Sequence, residues 1–171
     1  MRIRAPEASV LITDCAFANN VFYADSTNTG DALSGSLLFV DATEAHLDRL
    51  RLTRNAATLI WDKESDVLGG IVAISSSRSN STAHSLLFAD NLLHVALCKD
   101  LEGGLCSLQG FLPPQNVSLF RNSVFAGFPL SGKGGLLSWR RDLNDAAVLP
   151  RNISCVANAV RLESVRSMVL G

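Results

Sequence analysis

The segment from Gly127 to Lys133 is the first whose spacing suggests chemistry, because it fills the first seven positions of a phosphate-binding loop. In such loops backbone amides and the lysine hold phosphate oxygens, and a hydroxyl in the eighth position binds magnesium. Here the eighth residue is Gly134, and residues 135–139 have the pattern of a strand rather than of the required helix. We therefore interpret the segment as a turn and predict that the chain binds no cofactor.

Three aspartates, Asp31, Asp66 and Asp100, each precede a glycine by three or four residues. Carboxylates aligned along one edge could divide the roles of acid and base, as in glycoside hydrolysis, or bind a cation weakly. Aspartate is also a common turn residue, and the next copy of the pattern has only Ser131 in this neighbourhood. A turn is the preferred interpretation, and the sequence leaves a catalytic or weak cation site open.

Metal ligation and serine nucleophiles have little support in the sequence. His46, His84 and His94 lie in unrelated contexts, so they form no row that could bind a metal. His94 with Cys98 and Cys106 is the only cluster of metal-ligand types, and its spacing matches no common zinc pattern. The Gly-x-Ser-x-Gly motif of serine hydrolases is absent. We therefore predict no catalytic residue and no metal site.

Two features concern carbohydrates. Sequons for N-glycosylation begin at Asn80, Asn116 and Asn152, and their use would place the protein in a eukaryotic secretory pathway. Trp61 and Trp139 are the only tryptophans on which a sugar could stack. We interpret both as side chains that cover the edge of the core.

The composition excludes several classes of protein. The 171 residues suffice for one domain, and 47% hydrophobic against 18% charged residues exclude a disordered chain. A net charge of −1 creates no field that would attract nucleic acid or an anionic membrane. No apolar run exceeds four residues, so no segment can span a membrane, and the start lacks the apolar core of a signal peptide. We expect an intracellular protein or a chain whose amino-terminal part is missing.

An internal repeat organises the chain. One marker is an asparagine that follows two apolar residues in the pattern apolar-x-apolar-x-x-Asn. The asparagines of its five copies, and the apolar residues three positions before them, are Asn20, Asn55, Asn91, Asn122 and Asn158, and Phe17, Leu52, Phe88, Leu119 and Cys155. The other marker is a small pair before an aliphatic residue, and its copies begin with Gly35-Ser36, Gly69-Gly70, Gly103-Gly104 and Gly134-Gly135.

Each repeat has the pattern of strands. Residues before the asparagine alternate with period two, and short apolar segments follow both the asparagine and the small pair. Clusters of Ser, Asn, Gly and Pro between them are typical of turns. The sequence therefore predicts one all-β domain over residues 1–171. It is a single-stranded parallel β-helix of about five turns, each of about 35 residues and three short strands.

The markers have physical roles in such a solenoid. An asparagine tolerates the left-handed backbone of a corner, and stacked asparagines exchange side-chain hydrogen bonds as a ladder. The glycines allow a tight corner and close approach between turns. The apolar residue three positions before each asparagine then forms an inward row. Neither terminus departs from the repeat, so we expect an uncapped excerpt of a longer solenoid that self-associates through open ends.

The register restricts the disulfides. Cys15 and Cys155 lie four turns apart, or about 19 Å at about 4.8 Å per turn, whereas a disulfide needs Cα atoms within about 7 Å. We expect both to be buried free thiols on inward strand positions. Cys98 and Cys106 are separated by only seven residues across a glycine corner. Theirs is the only intramolecular bond that this register allows.

The alternation of a paired-Gly-aliphatic motif with Phe-x-x-Asn resembles the repeats of polymorphic outer membrane proteins. Phe17–Asn20 and Phe88–Asn91 match the second motif fully, whereas Leu52, Leu119 and Cys155 replace the phenylalanine elsewhere. The resemblance covers nearly the whole chain. It implies a right-handed, surface-exposed parallel β-helix that acts in adhesion or as the passenger of an autotransporter.

The sequence leaves two functions open. The first is a non-enzymatic segment of a cell-surface or secreted protein, which acts as an adhesin or a stalk and binds a protein or glycan ligand. The alternative is a carbohydrate-active enzyme of the polysaccharide lyase or glycoside hydrolase type, with its catalytic turns outside this segment. One scaffold can support either function, so the fold alone does not distinguish them.

Overall fold

The computed structural model describes residues 1–26, 33–61, 66–78, 80–96, 98, 100–127, 131–133, 135–140 and 150–163. In these ranges the chain forms strands and no helix. In chain order the strands are β1 Arg2–Thr13, β2 Ala16–Ala18, β3 Val21–Ser26, β4 Leu33–Ser34, β5 Leu38–Asp48, β6 Arg51–Thr53, β7 Ala56–Trp61, β8 Val67–Leu68, β9 Val72–Ser76, β10 Thr82–Ala89, β11 Leu92–Val95, β12 Asp100–Glu102, β13 Cys106–Gln109, β14 Gln115–Phe120, β15 Ser123–Gly127, β16 Ser131–Lys133, β17 Leu137–Arg140, β18 Arg151–Val156 and β19 Ala159–Glu163.

The strands form three parallel sheets that stack turn upon turn. One sheet has ten strands, another has five (β3, β7, β11, β15 and β19), and the smallest has four (β4, β8, β12 and β16). In each turn the chain follows the ten-stranded sheet, turns at the asparagine into the five-stranded sheet, and passes through the four-stranded sheet to the small pair. The predicted parallel β-solenoid is confirmed, with about four turns of about 35 residues between the five asparagines.

The assignment of strands to sheets differs in one respect from the sequence pattern. The segments after the small pair and before the asparagine belong to the same ten-stranded sheet, and in the first two turns the short strand before the asparagine (β2 or β6) follows one long strand (β1 or β5). In later turns a few residues interrupt this strand, so that β5 pairs with β9 along its first half and with β10 along its second. The third sheet consists of short strands before the small pair, which carry too few residues to show alternation.

The left-handed corners lie one residue before the ladder asparagines. Positive φ values of 45–56° occur at Asn19, Arg54, Asp90, Arg121 and Ala157. The expectation that the asparagine itself takes this conformation is therefore wrong, because its side chain instead points into the solenoid. A second row of left-handed residues lies five positions earlier, at Asp14, Arg49, Ser85, Asn116 and Asn152.

Glycine is required in the small pairs because the backbone approaches closely there. Gly69 has a φ of 54°, and Arg54 and Asp90 adopt nearly the same angle, so the dihedral angle alone does not demand glycine. A Cβ on Gly69 would lie 2.0 Å from the carbonyl oxygen of Val72 in the same corner. On Gly104 it would lie 2.4 Å from the carbonyl oxygen of Gly135 in the next turn. The predicted tight corner is confirmed for these pairs, and Gly134 lies outside the described residues.

The core runs along the axis of the solenoid. The inward row predicted from the sequence is fully buried at Leu52 and Phe88 and nearly so at Leu119. Phe17 in the first turn is half-buried, whereas Cys155 in the last described turn is exposed. The expectation of a buried Cys155 is wrong, because β18 is the last strand of its sheet and no described strand stacks beyond it.

Candidate functional site

The ladder asparagines form a continuous chain of hydrogen bonds along the solenoid. Each of the first four donates from Nδ2 to Oδ1 of the asparagine in the next turn at 2.9 Å. Each Oδ1 also accepts the backbone N–H of the preceding asparagine at 2.9–3.1 Å. The second Nδ2 hydrogen reaches a carbonyl oxygen at the inward position of the previous turn, 2.7–2.9 Å away. The predicted ladder is confirmed.

This ladder has no capacity left for a ligand. Asn55, Asn91 and Asn122 are buried, and both their donor hydrogens and their carbonyl oxygen have partners. Buried polar groups that are fully paired stabilise and orient a fold. The ladder is therefore a structural element that fixes one turn on the next.

The aspartate edge brings two carboxylates together. Asp66 directly precedes β8 and Asp100 begins β12, and the pairing of Leu101 with Val67 places the two aspartates on adjacent turns. Ser131 continues the row, and Asp31 lies outside the described residues. Within the described ranges no three ligand-type side chains lie close enough to hold a metal ion.

The phosphate-loop interpretation is excluded by the strands on either side. Gly127 ends β15, and Ser131–Lys133 forms β16 of the smallest sheet, so the turn predicted for this segment is wrong at those residues, while residues 128–130 lie outside the described ranges. The chain then continues into β17 rather than into a helix, as the sequence indicated. Without a helix amino terminus the segment cannot hold a phosphate in the way that the motif requires.

The structure gives His46 two polar neighbours that sequence reasoning missed. Its Nδ1 lies 3.0 Å from Oγ1 of Thr82, and its Nε2 lies 3.4 Å from Oε1 of Glu44. The order of contacts matches a hydroxyl, a base and an orienting carboxylate. However, none of the three residues lines either of the cavities described below. We therefore assign the contacts to surface pairing, within β5 for Glu44 and between β5 and β10 for Thr82. Glu44 lies two residues before His46, and Thr82 pairs with His46 on the neighbouring strand, so both contacts could have been predicted once the register was known.

All four cysteines are free thiols. The bridge that the sequence allows between Cys98 and Cys106 is not formed in the structure, and neither is one between Cys15 and Cys155. Burial, together with the charges of Asp100 and Asp66, raises the pKa of Cys98 to about 11. Burial alone raises the pKa of Cys106 still further. Both thiols are therefore protonated at neutral pH.

This burial predicts a pattern of alkylation. At pH 8 we expect N-ethylmaleimide to label Cys98 and Cys106 at least about a hundredfold more slowly than the exposed Cys155, because few thiolates form and access is blocked. Peptide mapping of a time course measures the rates, with urea-unfolded protein as the control in which all four should react. Rapid labelling of native Cys106 would contradict the register. If both thiols resist labelling after unfolding until a reductant is added, the disulfide predicted from the sequence has formed.

Exposed ion pairs link some corners between turns. The guanidinium of Arg49 contacts the carboxylates of Asp14 and Asp48, and that of Arg121 binds both oxygens of Asp90 at 2.7 and 2.9 Å. The hydrogen bond from Arg121 holds the pKa of Asp90 below its usual value, and Arg49 does the same for the pKa of Asp14. A lowered carboxyl pKa stabilises the fold at neutral pH, and this contribution is lost as the pH falls through that value. These pairs are exposed and contribute little.

The sequon asparagines lie at the surface. Asn80 is in an exposed turn, and Asn116 and Asn152 occupy the second row of left-handed corners on adjacent turns. Nδ2 of Asn152 donates to Oδ1 of Asn116 at 2.9 Å. Surface exposure is compatible with glycosylation of all three residues, and their use remains a prediction.

The larger cavity continues the core. Its volume is about 470 Å³, and it is lined by Glu102, Pro114, Leu137, Ser138, Trp139, Arg140, Pro150 and Ile153. Trp139 pairs with the buried Leu108, and Ile153 with the buried Val117, so these side chains occupy inward positions. Nε1 of Trp139 donates to the carbonyl oxygen of Phe111 at 2.9 Å. Trp139 covers the core edge as expected, whereas the side chain of Trp61 lies outside the described residues.

The outer face of the five-stranded sheet presents large apolar side chains to solvent. Val21, Tyr23 and Leu92 are 82%, 60% and 46% exposed. The register places them in two rows along the solenoid, one of Val21, Ala56, Leu92, Ser123 and Ala159, the other of Tyr23, Thr58, His94, Phe125 and Arg161. The rings of His94 and Phe125 lie 4.9 Å apart between centroids. Sequence reasoning missed this face, because the spacing within each repeat shows which residues point outward only after the strands are assigned.

The fold and these rows define the chain as a parallel β-solenoid. No family model, curated protein or solved structure matches it. In the described ranges no helix has the length and apolarity that a membrane crossing requires.

Proposed function

We propose that this solenoid is a non-enzymatic adhesive or structural segment of a cell-surface or secreted protein. The observation that carries the proposal is the exposed apolar face of the five-stranded sheet, where Val21, Tyr23 and Leu92 project into solvent. Contiguous apolar surface on a soluble protein typically marks a site of interaction. The ligand is a protein or glycan of a cell surface.

The rigidity of the stack supports the structural part of this role. A ladder whose three middle asparagines are buried joins all five, so each turn is hydrogen-bonded to the next through side chains as well as backbone. Four intervals of about 4.8 Å give a rod about 19 Å long that holds its outer faces in a constant orientation. The inward residues Ile153, Cys155 and Val160 of the last described turn are exposed, which supports self-association of the chain through its ends.

The alternation of the two sequence motifs supports a more specific proposal about the kind of protein and its location. The ladder asparagines and the tight glycine corners are the positions at which this chain resembles polymorphic outer membrane protein repeats. On that resemblance we propose an extracellular location as an adhesin or autotransporter passenger.

The experiment compares two faces of the solenoid. We expect Tyr23→Ser and Leu92→Ser each to lower binding of the labelled chain to cultured cells or matrix proteins by about tenfold, because each removes a large apolar contact. Leu11→Ser is the matched control, since Leu11 is equally apolar and 69% exposed but lies on the ten-stranded sheet. An equal loss for all three variants would indicate non-specific adhesion, and absence of binding by the parent chain would contradict the proposal.

The carbohydrate-active enzyme is the second candidate, and one observation favours it. Asp66 directly precedes β8 and Asp100 begins β12, so the two aspartates lie on adjacent turns, and paired acid and base carboxylates must likewise lie near each other. Release of new reducing ends from neutral or acidic polysaccharides, lost in Asp66→Asn, would support this candidate over the adhesin.

A further inference from the structure

A small groove lies on the outer face of the ten-stranded sheet, which is a different sheet from the one that carries the apolar face. Its volume is about 50 Å³, and it is lined by Phe39, Leu68, Ala73, Ile74, Ser75, Ser107 and Gln109. The register sets Phe39, Ala73 and Ser107 in one row across β5, β9 and β13, and Ser75 beside Gln109 in the next. Three successive turns therefore build the groove.

The groove contains a buried hydroxyl without a partner. Ser107 is only 2% exposed, and its Oγ has no hydrogen-bond partner among the described residues. A buried polar group in this state destabilises the fold, so such groups are rare in native proteins and concentrate at functional positions. By contrast, the hydroxyl of Ser138, which is the next residue in the same row, donates to Oε1 of Glu102 at 3.0 Å. The unpaired state of Ser107 is therefore not a general property of the row.

The walls of the groove combine an aromatic ring with neutral polar groups. The guanidinium carbon of Arg2 lies 4.7 Å from the ring centroid of Phe39, a contact that restrains the ring. Ser75 and Gln109 are half-buried, so their hydroxyl and amide lie where the groove meets solvent. Among the described residues, none of those that line the groove itself is charged, and the guanidinium of Arg2 lies on Phe39 next to this lining. The lining suits a ligand that is uncharged, carries hydroxyl groups and has an apolar face.

We propose that this groove binds a neutral saccharide, with one hydroxyl or hydroxymethyl group bonded to Ser107 and the C–H face of the ring packed on Phe39. This inference goes beyond the proposed function, since the groove lies on a different sheet from the apolar face and would bind a ligand of its own, a neutral glycan.

The dimensions limit what the groove can hold. Complete small-molecule sites typically enclose about 300–1,000 Å³, so a groove of about 50 Å³ admits one substituent and not a whole ring. It is nevertheless larger than one water needs, which is about 10–15 Å³. The remaining saccharide lies outside, where Ser75 and Gln109 on neighbouring strands are about 4.8 Å apart and can bond successive hydroxyls. The glycan chain therefore runs along the solenoid axis.

The test titrates the full chain with neutral oligosaccharides of two to four sugars and with uronic-acid oligosaccharides of equal length. We expect a neutral oligosaccharide to bind and the acidic ones not to, and Ser107→Ala and Phe39→Leu each to weaken binding about tenfold. The melting temperature of Ser107→Ala should be unchanged or raised, because the substitution removes an unpaired hydroxyl. A fall in that temperature would show that Ser107 has a partner and would overturn the proposal.

The controls separate this inference from the proposed function. Ser138→Ala is matched in chemistry and row to Ser107→Ala, and we expect it to leave saccharide binding unchanged. If no neutral saccharide binds, or if one binds equally well to Ser107→Ala and Phe39→Leu, the groove holds water only and the inference is wrong. Adhesion that is still lost in Leu92→Ser would then leave the proposed function intact. Absence of both saccharide binding and adhesion would contradict both proposals.

Discussion

Asn91→Leu should lower the free energy of unfolding by about 3–5 kcal/mol, measured by urea denaturation. The substitution leaves the backbone N–H of Asn55 and the carbonyl oxygen of Leu52 buried without their partners, and it removes the acceptor of one Asn55 Nδ2 hydrogen. Each buried group left unpaired costs about 1–3 kcal/mol, and three lie in one connected ladder.

Asn20→Leu is the matched control. Asn20 ends the ladder in the first turn, is exposed, and donates to Asn55 without accepting from any other ladder asparagine. Water can replace those bonds, so we expect a loss below about 1 kcal/mol. Equal effects of the two substitutions would mean that burial does not strengthen the ladder.

Gly69→Ala should destabilise the fold by about 3 kcal/mol or more. An alanine in the left-handed conformation costs about 1–2 kcal/mol by itself. Its Cβ would also lie 2.0 Å from the carbonyl oxygen of Val72 and 2.7 Å from the backbone nitrogen of Ser107, and neither atom belongs to a side chain that can rotate away. Thermal and urea unfolding of the variant measure the effect.

Ser85→Ala is the control that separates the cost of the left-handed backbone from the cost of the close backbone contacts. Ser85 has a φ of 55°, nearly the same as Gly69, but already carries a Cβ. We therefore expect a change within about 1 kcal/mol. If Gly69→Ala were as mild as Ser85→Ala, close approach of the backbone would not be the reason for glycine in the small pairs.

The repeat could be predicted because each marker residue is needed for a reason that lies within its own turn. Asparagine (for example Asn55 and Asn91) recurs where each turn has a polar corner inside the stack. A large apolar residue (Leu52 or Phe88) recurs where a side chain must face the core. The ladder followed from that spacing, although the left-handed residue proved to be Arg54 or Asp90, one position earlier. Sequence does not show which of two adjacent polar residues points inward, since both are acceptable in a turn.

The strands of the four-stranded sheet could not be predicted from alternation. β8 is only Val67–Leu68, and two residues cannot show a period of two. The exposure of Cys155 was missed for a different reason, since its inward position is the same as that of Phe88. Burial depends on the turn that stacks above a residue, which a repeat pattern does not describe.

The sequence by itself determined the period, the corner glycines, the ladder and the inward row, because each meets a requirement of a residue within its own turn. Only the tertiary structure decided which outward side chains become neighbours. Phe39, Ala73 and Ser107 come together because hydrogen bonds between parallel strands set the register of three turns. Outward positions carry no packing constraint that would mark them in the sequence, so the apolar face and the groove appear only when the turns are stacked.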